Sequence, residues 1–140
     1  MSGERDLRRL LSGMQPVLRP GTFVFTTIAG NMRIPDGLQP MMAFRETEGL
    51  TMILGEEEAR HVGLTAIFPC RLVTLEIHSS LDAVGFLAAV TAHLARLGIG
   101  VNPVAAYYHD HLFVPADRAG DALEALKALA KESASALEGE

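Results

Sequence analysis

Residues 77–101, which read IHSSLDAVGFLAAVTAHLARLGIGV, decide the fold of this chain. They contain the end of a strand, a serine-rich turn, a helical pattern, and a turn at Gly98 into another strand. The predicted helix covers residues 81–97, and Ser79 or Ser80 is expected to cap its first amides. Its buried stripe is predicted to consist of Leu81, Val84, Leu87, Thr91, Leu94 and Leu97. Backbone amides at a helix start favour binding over catalysis.

The composition argues against several classes of protein. Of 140 residues, 49% are hydrophobic and 21% are charged, so the chain is expected to be globular. The net charge of −5 argues against a nucleic-acid partner. The longest apolar run, within residues 84–90, is too short to cross a membrane, and the N-terminus lacks the apolar core of a signal peptide. Cys70 is the single cysteine and is expected to be a buried thiol, which fits a cytoplasmic location.

The remaining segments predict a mixture of helices and strands. The pattern first predicts a helix over 5–11, an edge strand at 17–18, a strand over 22–28 and a broken loop over 29–40. A hairpin over 41–54, a helix over 55–62 and β structure over 64–78 follow, with an interruption of the last at Pro69. After the deciding stretch, the pattern predicts a hairpin over 101–115 with its tip at His109-Asp110, a helix over 117–133 and a frayed tail.

The two halves of the chain resemble each other at a spacing of about sixty residues. Residues 52–55 (MILG) match residues 112–115 (LFVP), and Ala59 matches Ala119. The order strand, helix, strand, strand, helix after residue 72 is that of a ferredoxin-like unit without its last strand, for which residues 17–18 are the expected donor. We therefore predict an α+β fold of two such subdomains, residues 1–68 and 69–140. The first is degenerate because a loop replaces its first helix.

Gly85 stands early in the predicted helix, where a glycine costs about 1 kcal/mol relative to alanine. One explanation is the close approach of a ligand to the helix start. The other explanation is tight packing of the helix against a sheet. The sequence leaves both open.

Two clusters of polar residues could carry catalytic or metal chemistry. His109-Asp110-His111 places two metal ligands on one strand face, but no further motif completes a site, and a turn role for the aspartate is favoured. Ser79 or Ser80 with His78 or His109 would form a nucleophilic pair, but no G-x-S-x-G elbow is present, and helix capping is favoured. We therefore predict no catalytic residue, no bound metal and no cofactor.

The deciding stretch resembles the signature of ACT domains, which often reads D-x-x-G-x-L-A followed by L-x-x-x-G-I-N-I. The residues that match this signature are Asp82, Gly85, Leu87, Ala88, Leu94, Gly98, Ile99 and Val101. Gly100 stands where many members have asparagine, and Asn102 follows two residues later. The whole chain is similar to small bacterial tandem ACT proteins that are related to aspartokinase-type regulatory domains.

The resemblance implies two ferredoxin-like ACT units of βαββαβ type with antiparallel sheets, and a site for an amino acid or another small metabolite between two such units. The implied binding residues are Ser79, Ser80, Leu81, Asp82, Val84, Gly85, Val101 and Asn102. The helix-start amides would bind the α-carboxylate of the ligand. Asp82 or Asn102 would receive its α-ammonium group.

The sequence thus predicts a regulatory or sensor protein that is not an enzyme. It would bind a small molecule such as an amino acid, form a homodimer, and regulate an enzyme in trans, since no catalytic domain is attached. The alternative is a structural protein–protein interaction module with a decayed ligand site, which Gly100 and the missing first helix favour. A metal-dependent enzyme that uses His109 and His111 is the third hypothesis.

Overall fold

The computed structural model describes residues 2–139. Its helices are α1 (Leu7–Gly13), α2 (Glu56–His61), α3 (Phe86–Arg96) and α4 (Ala119–Glu138), with a 3₁₀ turn at Ala116–Arg118 before α4. Its strands are β1 (Gln15–Leu18), β2 (Phe23–Ile28), β3 (Met42–Arg45), β4 (Leu50–Gly55), β5 (Ala66–Glu76), β6 (Asn102–Ala105) and β7 (Asp110–Pro115). No helix within residues 2–139 combines the length and hydropathy that a membrane crossing requires.

These elements form two compact units. The short unit consists of residues 20–70, and the complete unit consists of residues 2–19 together with residues 71–139. This grouping differs from the predicted division between residues 68 and 69 because the N-terminal segment packs with the C-terminal part of the chain. β1 pairs with the second half of β5, and Leu10 of α1 is buried in the core of the complete unit.

The sheet of the short unit has the strand order β3-β4-β2-β5, with the first half of β5 at one edge. Its pairings are antiparallel. Because side chains alternate along a strand, one face collects the apolar residues that pack against Ala59 of α2. These are Val24, Ile28, Met52 and Leu54.

Residues 29–41 of the short unit form a loop, as predicted. Pro35, Gly37 and Pro40 interrupt any helical pattern there, since proline lacks an amide donor and glycine favours turns. The loop is held by Leu38, which packs against the core, and by the amide of Gln39, which donates to a Glu58 carboxylate oxygen at 3.0 Å. A helix is therefore replaced by an anchored loop.

The sheet of the complete unit has the order β1-β5-β7-β6, with the second half of β5 in its interior. β1 supplies the strand that the C-terminal copy lacks, as predicted from residues 17–18. Helices α1, α3 and α4 cover one face of this sheet. The buried core consists of Leu10, Met14, Val73, Leu75, Phe86, Val90, Leu94, Ile99, Leu112, Val114, Ala119, Ala122 and Leu126.

β5 runs without a break through Pro69, where the sequence predicted an interruption. The preceding residue, Phe68, has φ +59°, and the β2–β5 register shifts between Phe23 and Phe25. Proline cannot donate to the strand ladder, and a β-bulge accommodates it without ending the strand.

The internal repeat is visible in the structure. β4 buries Met52, Ile53 and Leu54 before Ala59, and β7 buries the matching residues before Ala119. Both units have the strand order of a ferredoxin-like fold, and only the complete unit has both helices. The predicted α+β class with a degenerate first copy is confirmed.

α3 begins at Phe86 instead of residue 81. Within the predicted stripe, Leu94 is buried and Leu87 packs against the core. The stripe was wrong at the exposed residues Leu81, Val84 and Leu97. The buried residues of the helix are Phe86, Val90 and Leu94. Val84 is 83% exposed and Leu97 is 50% exposed. The chain first makes a turn, in which the Ala83 amide donates to the Ser80 carbonyl at 3.0 Å. Apolar residues of this turn and of the helix end continue the helical spacing although they lie outside α3.

Two smaller predictions were also wrong. The β6–β7 hairpin turns over residues 106–109 instead of at His109-Asp110, because the Ala106 amide donates to the His109 carbonyl at 3.0 Å. α4 continues to Glu138, so the predicted frayed tail is helical over the described residues.

Candidate functional site

A cleft of about 140 Å³ lies in the complete unit beside the start of α3, and we name it the α3 cleft. Residues of the β5–α3 loop and the first turn of α3 line it together with one residue each from β6 and β7. The lining residues are Ser79, Ser80, Leu81, Ala83, Gly85, Phe86, Leu87, Ala88, Ala105 and Asp110. The deciding stretch of sequence therefore supplies most of this cleft.

Gly85 precedes α3 as its N-cap residue, with φ +93° and ψ −10°. A Cβ added to Gly85 would lie 3.5 Å from Leu7 Cδ2, which is ordinary van der Waals contact. Neither proposed explanation, ligand approach or tight packing, is needed. The position requires glycine because L side chains rarely adopt a left-handed backbone conformation.

The first amides of α3 have no capping side chain, and its first turn contains no acidic residue. The predicted serine caps are directed elsewhere. Ser79 Oγ donates to Asp110 Oδ2 at 3.0 Å, and the Ser80 hydroxyl donates to the Asp82 carboxylate. The positive end of the α3 dipole at the cleft is therefore available to an anionic group.

Asp110 is 6% exposed and is the first residue of β7, where it pairs with Ala105 of β6. Alternation along β7 places it on the same face as buried Leu112 and Val114. Burial raises the pKa of the Asp110 carboxyl, while the Ser79 hydrogen bond and the neighbouring histidines oppose that rise. The predicted turn role for this residue was wrong.

His111 lies on the opposite face of β7 from Asp110. Its Nδ1 is 3.0 Å from Thr74 Oγ1, which also accepts a hydrogen bond from Arg19 Nε at 3.3 Å. Burial and the nearby His109 lower the pKa of His111. Within residues 2–139, no three His, Cys, Asp or Glu side chains lie close enough to hold a metal ion.

Four of the eight predicted binding residues line the α3 cleft. They are Ser79, Ser80, Leu81 and Gly85. The other four, namely Asp82, Val84, Val101 and Asn102, do not line it. The Asp82 carboxylate also lies 3.3 Å from Arg5 Nε, and the Ser80 hydrogen bond, with a smaller contribution from Arg5, lowers the pKa of Asp82.

Six lining residues were not among the predicted binding residues. Four of them belong to the deciding stretch, namely Ala83, Phe86, Leu87 and Ala88, and two lie outside it, namely Ala105 and Asp110. One signal could have found Asp110, because it stands two residues before Leu112 and four before Val114 in an alternating apolar pattern. The adjacent histidines are instead typical of a solvent-exposed hairpin tip.

The N-terminal segment pairs with the loop that forms the cleft. The Glu4 amide donates to the His78 carbonyl at 2.7 Å, and the Ser80 amide donates to the Glu4 carbonyl at 2.8 Å. Gly3 has φ +103°, and a Cβ added there would lie 2.6 Å from the Ser80 nitrogen. The two backbone hydrogen bonds of Glu4 therefore hold the β5–α3 loop against the N-terminal segment.

A larger groove of about 510 Å³ lies in the short unit. It is lined by Phe25, Thr26, Thr27, Glu46, Thr51, Thr65 and Ile67. The nearby Cys70 is fully buried as predicted, its thiol donates to the Phe23 carbonyl at 3.3 Å, and burial raises its pKa to about 11. This groove offers mainly apolar and hydroxyl surface, so the α3 cleft is the better candidate for a charged ligand.

Two ACT-domain models match the chain, one over residues 2–71 and the other over residues 67–128. The chain belongs to the ACT-domain family. The predicted tandem ACT organisation is confirmed. ACT domains are regulatory rather than catalytic modules, which supports a regulatory role for this protein.

Solved structures share the fold. A Vibrio cholerae protein of unknown function, described as a possible transport protein, is 44% identical over 89% of this chain and 95% of its own, with a TM-score of 0.80. The ligand-free regulatory subunit of aspartate kinase from Thermus thermophilus is 15% identical over 81% of this chain and 95% of its own, with a TM-score of 0.62.

Aspartokinase III from E. coli, solved in complex with aspartate and ADP, is 14% identical over 81% of this chain and 32% of its own, with a TM-score of 0.59. Because these two aspartate kinase structures are only 15% and 14% identical to this chain, their similarity to it concerns the fold alone. No curated protein sequence matches the chain significantly.

Proposed function

We propose that this ACT protein binds a small molecule, specifically an amino acid, in the α3 cleft and regulates an enzyme in trans as a homodimer. The observation that carries the proposal is the presence of uncapped helix amides and a buried carboxylate in one cleft. The helix amides favour a negatively charged group, and the carboxylate favours a positively charged one. A zwitterion satisfies both at once.

The amides of Phe86, Leu87 and Ala88 form the anion-binding side of the cleft. They belong to the first turn of an eleven-residue helix that has no capping side chain. Unpaired helix-start amides and the helix dipole favour a carboxylate at this position. The α-carboxylate of an amino acid fits this requirement.

The size of the α3 cleft favours a small ligand. Its volume of about 140 Å³ is below the roughly 300–1,000 Å³ of pockets that enclose drug-sized molecules. Leu81 and Val84 stand exposed in the loop beside the cleft. In the proposed homodimer these two side chains pack against the second copy, and the four predicted residues outside the cleft would complete the site there.

Thermal unfolding of the full chain with each standard amino acid tests the proposal. A ligand at 100 times its Kd stabilises the folded state by about 2.7 kcal/mol. Ala105→Phe, which fills the cleft from an exposed strand position, should remove the response. The matched control is Ala43→Phe on β3 of the short unit, which should keep it. Absence of stabilisation by any amino acid, or a full response in Ala105→Phe, would sink the proposal.

One observation favours a protein-interaction role as a second candidate. Phe44 is 65% exposed and Ile67 is 70% exposed in the short unit, beside the larger groove. Exposed apolar patches of this kind mark protein interaction sites. Analytical ultracentrifugation of the wild type and of Ile67→Glu measures the oligomeric state and locates the dimer contact. A dimer that Ile67→Glu dissociates uses this surface, whereas a dimer that persists and is dissociated by Val84→Glu uses the cleft loop.

A further inference from the structure

We propose that Asp110 receives the ammonium group of the ligand, so that the α3 cleft selects amino acids over hydroxy acids of the same shape. This inference rests on the proposed function of the cleft. It assigns the cation-binding role to a residue that the sequence pattern placed in a turn. It also reassigns that role from Asp82 and Asn102.

Neither of the residues predicted to bind the ammonium group is positioned for it within one chain. The Asp82 carboxylate accepts the Ser80 hydroxyl, lies 3.3 Å from Arg5 Nε and does not line the cleft. Asn102 is exposed at the start of β6 and does not line the cleft either. The cleft therefore needs another acceptor for a positive charge.

Asp110 supplies that acceptor from β7, whereas the helix-start amides belong to α3. Its carboxylate is buried, lines the cleft, and is oriented by Ser79, whose Oγ donates to Oδ2 at 3.0 Å. Oδ1 has no hydrogen-bond partner among residues 2–139. No Lys or Arg side chain within the same residues forms an ion pair with Asp110.

A buried carboxylate without a counter-charge is unfavourable for folding. The two neighbouring histidines do not supply a direct partner. His111 lies on the other face of the sheet and contacts Thr74, and His109 stands in the hairpin turn. Such uncompensated groups in a cleft are typical of binding sites, where the ligand brings the missing charge. An ammonium group is the charge of the right sign.

The two charged ends of an amino acid then match the two kinds of group in the cleft. The α-carboxylate contacts the amides of the first turn of α3, and the α-ammonium contacts Asp110 Oδ1. A hydroxy acid offers the same carboxylate but only a neutral hydroxyl to Asp110. Discrimination therefore depends on the charge of Asp110.

Calorimetric titration of the full chain tests the inference. The probes are the standard amino acids and the α-hydroxy analogue of each one that binds, such as lactate for alanine and malate for aspartate. Wild type should prefer the amino acid. Asp110→Asn should weaken amino-acid binding by at least about 30-fold, the loss expected when one partner of a buried charge pair is neutralised, and should leave hydroxy-acid binding unchanged.

One matched variant and one ligand-free measurement serve as controls. Asp117→Asn makes the same chemical change at an exposed position just beyond the other end of β7, and its affinity should stay within about twofold of wild type. Without ligand, Asp110→Asn should melt no lower than wild type, because asparagine can still accept the Ser79 hydroxyl. That result would exclude a purely structural role.

The outcomes separate the two proposals. Wild-type affinity for the amino acid in Asp110→Asn, or loss of discrimination in Asp82→Asn alone, would overturn the role of Asp110 and leave the proposed function intact. If wild type binds no amino acid, both proposals fail. Where Asp110→Asn does not fold, Ser79→Ala replaces it, since removing the hydroxyl that orients Asp110 should weaken amino-acid binding more than hydroxy-acid binding. Equal losses would again overturn the assignment.

Discussion

The short unit and the complete unit share one strand order but differ in what stands beside the sheet. β4 and β7 are sixty residues apart and bury the same three positions before a buried alanine. In the complete unit, α3 begins beside the sheet with uncapped amides. In the short unit, the loop of residues 29–41 occupies the corresponding place in the chain.

The two units also differ in the residue that begins the matching strands β4 and β7. Leu50 begins β4 as Asp110 begins β7, so the short unit has an apolar side chain where the complete unit has its buried carboxylate. Neither half of the proposed zwitterion site exists in the short unit. The two copies therefore share the core that holds each sheet together but not the groups proposed to bind a ligand.

The largest expected effect concerns α3, the helix that distinguishes the complete unit. Leu94 is fully buried, whereas Leu97 one turn later is half exposed. Leu94→Ala should lower the free energy of unfolding by about 2–5 kcal/mol, because a core cavity remains. Leu97→Ala is the matched control and should cost much less. Chemical denaturation measures both, and equal losses would restore the stripe predicted from sequence.

A smaller effect, taken as the excess over a matched glycine variant, is expected where the N-terminal segment holds the cleft loop. Gly3→Ala places a Cβ against the Ser80 backbone in a left-handed conformation. Overpacking of this kind typically costs about 1–3 kcal/mol, beyond the roughly 1–2 kcal/mol of the left-handed backbone itself. The matched control, Gly21→Ala, has a similar φ of +93° but no atom within 4 Å of the new Cβ.

Hydrogen exchange at the Ser80 amide measures how firmly the N-terminal segment holds the cleft loop. The amide donates to Glu4, so Gly3→Ala should speed its exchange while Gly21→Ala leaves it unchanged. Unchanged exchange in Gly3→Ala would mean that the N-terminal segment does not hold the loop.

The smallest effect is a pH dependence confined to the complete unit. The pKa of His111 is lowered in the folded state, so the unfolded chain takes up a proton more readily. Stability should therefore fall as pH drops through about 6.5, the ordinary histidine value, towards the lowered pKa. Asp110 has the opposite effect, because its pKa is raised in the folded state. Its contribution to stability should rise as pH falls through that raised pKa towards about 3.9, the ordinary aspartate value.

Melting temperatures at neutral and mildly acidic pH measure this effect. His111→Gln should reduce the acid-induced drop. His61→Gln, an exposed histidine of the short unit, should not. An equal drop in wild type and His111→Gln would assign the pH dependence to other groups.

Much of the fold could be predicted because local residues dictate it. Pro35, Gly37 and Pro40 exclude a helix from the loop of the short unit, and the missing last strand of the C-terminal copy required a donor such as Val17. The start of α3 could not be predicted in the same way. Exposed Val84 continues the helical spacing, and only the left-handed conformation of Gly85 shows where the helix begins.

The candidate site was predicted only in part. The signature located the loop with Ser79 and Gly85, because those residues are contiguous with the deciding stretch. Asp110 joins them through the register of β7 with β6, which pairs it with Ala105. Register is a property of the folded sheet, whereas the sequence pattern of a polar residue between two histidines favours a turn.

The most direct test is an NMR titration of ¹⁵N-labelled chain with the amino acid that stabilises it most. Amide shifts should change around Ser79, Gly85, the first turn of α3 and Asp110, while those of the strands of the short unit should stay unchanged. Largest changes at Phe25, Thr51 and Ile67, which line the groove of the short unit, would contradict this prediction.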